Sequence, residues 1–171
     1  TLFYDIKDTL PLKTDEESAD MYLYTCEKLE QHGFLQYEIS NFAKPGFSSK
    51  HNLKYWNCDE YIGFGPSAHS FFNKERFYYK NSFKDFLENT PPIFDSKGGT
   101  EEEYIFLRLR LNEGLKYAEF EKRFSKPIDE KYINNAKKYI DSDFVMKDDN
   151  GIKLTKKGFL ISNTIISDIL S

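Results

Sequence analysis

Residues 14–41 read TDEESADMYLYTCEKLEQHGFLQYEISN. Thr14 with Glu17 has the form of a capping box, in which a hydroxyl and a carboxylate three residues apart satisfy free N–H groups at a helix start. Behind it Ala19, Tyr22, Leu23, Cys26 and Leu29 recur along one helical face, and His32-Gly33 supplies a stop. Phe34 to Ile39 is short, aromatic-rich and bounded by Ser40-Asn41, which is the signature of a strand. Helix followed by strand is one α/β step of a larger parallel sheet. The segment is therefore expected to dock on sheet that this sequence does not contain.

Upstream, TLFYDIKDTLPL has neither an initiating Met nor a basic flank with an apolar h-region, and reads as a cut end. Downstream, from Ala43 to Ser70, the period is lost and Pro45-Gly46, Asn57, Gly63, Gly65 and Pro66 interrupt the chain. Phe42, Phe47, Tyr55, Trp56, Tyr61 and Phe64 make this an aromatic loop that is expected to be ordered. Phe71-Phe72 and Arg76 to Tyr79 flank Asn73-Lys74-Glu75 as a hairpin, and Ser82 to Glu88 forms a short helix before Pro91-Pro92. Ile105 to Leu111 alternates like a strand. Thr100 with Glu103, the acidic first turn and Gly114 decide for a helix instead. Helices follow over Ala118–Phe124 and Ile128–Ile140, the second with Ile128, Tyr132, Ala136 and Tyr139 on one face. Phe144–Met146 and Ile152–Leu154 flank Asn150-Gly151 as a second hairpin, and a last helix runs from Thr155 to Leu170. The fold class is α+β, with boundaries at 1–80, 81–99 and 100–171, the last a winged-helix-like module.

A chain of 171 residues, 39% hydrophobic and 17% aromatic, can bury a core of one domain, or of one small domain plus part of another. No apolar run approaches the ~18 residues of a membrane span. Net charge is -4, and from residue 101 onward thirteen basic residues meet thirteen acidic ones. Lys131, Lys137 and Lys138 share their helix with Asp129, Glu130 and Asp141. Without a basic stripe there is no nucleic-acid partner to expect, and the winged-helix-like module has a packing or lid role. Cys26 and Cys58 form no disulfide framework and no close metal spacing, which fits a reducing cytoplasm. Cys26 falls on the apolar helix face, whereas Cys58 falls in an exposed-looking loop as a free thiol.

The densest chemistry is His51-Asn52-Leu53-Lys54-Tyr55-Trp56. Imidazole is an iron ligand, Asn52 is placed to orient it, and Tyr55 and Trp56 offer flat faces to a macrocycle. The same residues would also serve a loop pinned by its aromatics, with His51 making one hydrogen bond. In Tyr61-Ile62-Gly63-Phe64-Gly65-Pro66-Ser67-Ala68-His69-Ser70 the small residues allow close approach of a ligand, or simply a bend. Ala68 takes the place of the last glycine of a dinucleotide fingerprint and the usual helix does not follow, which excludes that reading.

Residues 36–46 (QYEISNFAKPG), 51–56 (HNLKYW) and 61–70 (YIGFGPSAHS) together resemble the radical-SAM oxygen-independent coproporphyrinogen III oxidase-like family, closest to its HemW-type haem chaperone branch. Ala19-Asp20-Met21-Tyr22, Leu154-Thr155, Gly158 and Ser162-Asn163 extend the likeness over nearly the whole chain. The resemblance implies a partial (β/α) barrel binding a [4Fe-4S] cluster and S-adenosylmethionine, then a helical C-terminal domain. It implies that the three cluster cysteines lie in a preceding N-terminal segment, so the fragment alone performs no radical chemistry. His51, Asn52, Tyr55 and Trp56 are then the haem candidates, with His51 on the iron. Gly63, Gly65, Ser67 and His69 are the S-adenosylmethionine-proximal candidates. Implied partners are haem or porphyrin and a haem acceptor; the alternative activity is oxidative decarboxylation of coproporphyrinogen III to protoporphyrinogen IX.

Overall fold

The structure, a computed structural model, describes residues 2–6 and 9–171, so Thr1, read above as a cut end, lies outside the described residues. After one turn of helix, α1 (Leu2–Asp5), comes α2 (Asp15–Gln31). Its capping box is complete: Glu17 N donates to Thr14 Oγ1 at 3.1 Å and Thr14 N donates to Glu17 Oε2 at 3.0 Å, a cap worth about 1 kcal/mol. His32 ends the helix, and Gly33 at φ +79 turns the chain into β1 (Leu35–Glu38).

β1, expected to dock on a larger parallel sheet, also has partners within this chain. It pairs antiparallel with β2 (Asn41–Ala43) on one edge. On the other it meets residues 110–112, through Ile39 N to Arg110 O at 2.9 Å and Asn112 N to Tyr37 O at 3.1 Å. The cause is local. Glu38, only 1% exposed, accepts from Ser40 N at 3.1 Å and from the Asn41 amide, and this folds the strand back on itself. A buried carboxylate without such donors would cost several kcal/mol.

The next 14 or so residues, expected as loop, contain α3 (Lys50–Trp56), started by Ser49 Oγ accepting from Asn52 N at 3.3 Å. The expected hairpin follows, β3 (His69–Phe72) with β4 (Glu75–Tyr78), around Asn73 and Lys74 at φ +51 and +61. Two positive φ values match the twist of a two-residue hairpin loop. α4 (Phe83–Leu87) is capped by Ser82 as expected. β5 (Ile93–Lys97), not foreseen, completes a β3-β4-β5 sheet.

α5 (Glu101–Arg108) stops at Leu109, short of Gly114. Gly114 sits at φ +71, and a Cβ there would fall 2.4 Å from Ile152 O. That glycine serves a close strand approach rather than a helix end. β6 (Leu115–Lys116), α6 (Tyr117–Phe124) and α7 (Glu130–Asp141) follow, then β7 (Val145–Lys147) and β8 (Gly151–Leu154), in a sheet ordered β6-β8-β7. The second hairpin exists, but Gly151 is not at its tip. Asp148 closes the turn by accepting from Asn150 N and Gly151 N at 2.8 and 2.9 Å. Gly151 opens β8, where a Cβ would meet Leu115 O at 2.1 Å. The expected last helix is two, α8 (Lys156–Leu160) and α9 (Ser162–Leu170), broken at Ile161.

Ile105, Leu109, Leu115, Phe120, Ala136, Ile165, Ile166 and Ile169 are inaccessible to solvent. Cys58 and Phe71, from the first half of the chain, belong to the same buried cluster. At about 1.5–3 kcal/mol per buried large aliphatic or aromatic side chain, this shared core ties the turn at Cys58 and strand β3 to the second half of the chain.

Candidate functional site

α3 places the first motif on a short helix, and helical geometry decides which of its residues can act together. His51 and Tyr55, four residues apart, meet edge to face with ring centres 5.0 Å apart, and Tyr55 Oη lies 3.2 Å from His51 Nε2. Tyr55 in turn meets Tyr61 at 4.6 Å. Both His51 and Tyr55 are exposed. Asn52 and Trp56 lie about 100° and 140° round the helix from His51, on its half-buried side. The structure thus brings together His51, Tyr55 and Tyr61, and turns Asn52 and Trp56 toward the protein.

The residues present fit axial ligation of haem in one respect. An exposed imidazole beside two tyrosine rings can offer a nitrogen to iron and flat apolar surface to a porphyrin edge. Ligation through Nε2 would require Tyr55 to give up its hydrogen bond, a loss of about 1 kcal/mol.

The second motif continues from Tyr61, whose backbone pairs with Phe71 through bonds of 2.8 and 2.9 Å. A Cβ on Gly63 would lie 2.4 Å from His69 O, and Gly63 N donates to Ser70 Oγ at 3.0 Å. Glycine is needed there by the fold itself. Gly65, at φ +106, has open space around it, and Ser67 at φ +63 is exposed on the following turn. His69 is exposed and stacked on Tyr78, with ring centres 5.1 Å apart and planes 21° from parallel.

Cys58 corrects its sequence reading. It is 1% exposed, and burial above all, with Glu103 adding to it, pushes its thiol up to about 11. Among the described residues no group of three or more His, Cys, Asp and Glu is placed to hold a metal ion. Cys26 is buried, as expected, beside Gln36. Gln36 donates to Tyr22 Oη at 2.6 Å, and burial raises that phenol to about 12.

Arg108 was not anticipated. Its side chain is 3% exposed and donates from Nη1 to Asn57 Oδ1 at 2.5 Å, and from Nη2 to Glu113 Oε1 at 2.6 Å and Glu119 Oε2 at 3.0 Å. The available signal was its place inside the apolar run from Ile105 to Leu111, where a cation needs dedicated partners. Nearby, a cleft of about 890 Å³ is lined by Cys58, Glu60, Phe71, Thr100, Arg123 and Tyr132 among others, and not by His51 or His69.

Residues 102–161 match the HemN C-terminal domain. The chain is 33% identical over 180 residues to heme chaperone HemW of Bacillus subtilis, covering 99% of this chain and 48% of that protein. It is 32% identical to heme chaperone HemW of Lactococcus lactis, covering 94% and 44%. The chain thus spans about half the length of these relatives. Its fold matches the solved structure of coproporphyrinogen III oxidase HemN from Escherichia coli, a radical SAM enzyme, at TM-score 0.67 and 17% identity, over 92% of this chain and 42% of that one.

Proposed function

We propose, with homology of this chain to the HemW-type heme chaperones as the premise, that it is the C-terminal part of a radical-SAM protein that binds haem and passes it to an acceptor protein. The observation carrying this reading is the exposed His51 imidazole on α3, flanked by Tyr55 and Tyr61. In this reading His51 donates a ring nitrogen to haem iron, and the tyrosines line the porphyrin edge. Asn52 and Trp56 hold the helix from its inner side.

The [4Fe-4S] cluster and S-adenosylmethionine belong to the full-length protein. Together they would supply reductive cleavage of the sulfonium. Cys26 and Cys58, the two cysteines of this sequence, are both buried, and in this reading the cluster takes its ligands elsewhere in the full-length protein. Gly63, Gly65, Ser67 and His69 would present the small, polar surface nearest S-adenosylmethionine. In finer architecture, α2 and β1 are the last α/β step of a partial (β/α) barrel, and α5 to β8 form a winged-helix-like module. The setting is the cytoplasm; among the described residues no helix is long and apolar enough to cross a membrane.

Titrating full-length protein and its His51→Ala variant with haem tests the ligand. The expected outcome is a changed Soret band and an affinity weaker by at least the roughly ten-fold that loss of even a ligand's outer-shell partner costs. Identical spectra and affinities would overturn it. The likeness of fold to HemN motivates a second assay: protoporphyrinogen formed anaerobically from coproporphyrinogen III would replace the chaperone reading with the enzymatic one.

A further inference from the structure

Seven residues are too few for a helix to stand alone in water, and α3 buries none of its side chains fully. Its inner side, with Asn52, Leu53 and Trp56, is only half-buried, so the helix ends carry much of what fixes the His51 face. At the C-terminal end the chain closes a Schellman motif: Cys58 N donates to Tyr55 O at 3.0 Å, Asp59 N donates to Lys54 O at 2.9 Å, and Cys58 lies at φ +54. This leaves the carbonyls of Asn57 and Cys58 pointing outward at the negative end of the helix dipole.

Two arginines from the second half of the chain occupy that end. Arg123, on α6, donates from Nη2 to Cys58 O at 2.6 Å and from Nη1 to Asn57 O at 3.3 Å. Its guanidinium is held 5.0 Å over the Tyr104 ring. Arg108, on α5, takes the Asn57 side chain and is itself aimed by Glu113 and Glu119. These bonds bridge 51 to 66 positions of sequence.

We infer that Arg123 and Arg108 are positioning residues that lock α3, so that the C-terminal module sets the geometry of the His51–Tyr55 face. The inference rests on the haem reading for its purpose, but not for its first test. Arg108 is buried and its loss threatens the fold, so the exposed Arg123 is the residue to change. Full-length Arg123→Gln and Arg123→Lys are compared with the parent by hydrogen exchange, reading amides 53–59 against the α9 amides of Ile165, Ile166 and Ile169. Exchange at 53–59 is expected to rise roughly ten-fold in the glutamine variant and less in the lysine variant, with α9 unchanged, because a charge-assisted bond to a local opening unit is lost. Haem affinity should fall several-fold in the same order. Unchanged exchange at 53–59, or a rise shared by α9, overturns the lock. Faster local exchange with unaltered haem binding, where His51→Ala does weaken binding, overturns its positioning role. If His51→Ala binds haem as the parent does, the haem reading fails, and the exchange data alone decide whether the arginines hold α3.

Discussion

Cys58 occupies the left-handed position that glycine usually takes after a helix, yet it fills it with a buried thiol. A non-glycine residue there costs about 1 kcal/mol, which the packing of its sulfur in the shared core offsets. Because burial raises its pKa to about 11, Cys58 stays a protonated thiol at neutral pH. A thiol reagent should label neither Cys58 nor Cys26 in native protein and both in denaturant; prompt native labelling of Cys58 would contradict the burial. Arg108 carries a larger stake. Replacing it with Met leaves Asn57 Oδ1 without its donor and Glu113 and Glu119 with Lys116 alone, and should lower unfolding free energy by about 1–3 kcal/mol in a denaturant titration. At this scale the sequence was readable where a residue's partner is three or four positions away, as with Thr14 and Glu17. It could not name Asn57 as a partner of Arg108, 51 positions off.

Short elements show the same dependence on distance. The cap of α2 and the faces of α2 and α7 were legible because each helix is long enough to repeat its period. α3 was not, since seven residues give barely two turns and its apolar positions, Leu53 and Trp56, are only half-buried. β5 was invisible for a different reason: Asp95, Ser96 and Lys97 show no apolar alternation, and pairing with β4 alone makes them a strand. Asn150-Gly151 misled because two independent demands fall side by side, a turn closed by Asp148 and a close approach of β6 to β8. Gly151→Ala tests the second demand. Its methyl would collide with Leu115 O, so the variant should be destabilised by about 1–3 kcal/mol, with β6 and β8 amides the first to lose exchange protection. An Asn150→Ala change, by contrast, should leave that protection intact.

Over the whole molecule, acid sensitivity is set by carboxylates tied to cations. Burial raises the Glu113 carboxyl, but Lys116 and Arg108 outweigh it and hold it below its ordinary value. Lys138, with Tyr139, holds Asp168 down likewise. A lowered folded pKa contributes stability that is present above the ordinary carboxylate range and lost as pH falls through the folded value. The urea midpoint should therefore be flat near neutrality and fall below about pH 4. Glu113→Gln should lower the midpoint at neutral pH and flatten part of the acid fall; an unaltered acid profile would remove Glu113 from this account.

The core also says where the chain can be divided. The stretch matching the HemN C-terminal domain, 102–161, begins inside α5 and stops before α9. Thr100, which caps α5, and Arg76 and Gly99, which engage Glu103, lie outside it. So do Ile165, Ile166 and Ile169, three of the most deeply buried side chains. What natural variation keeps similar is thus narrower than what must be inherited together. A swap between related proteins would be viable only if its crossover points fell before residue 98 and beyond Ile169, with an arginine in the recipient at position 76 to meet Glu103.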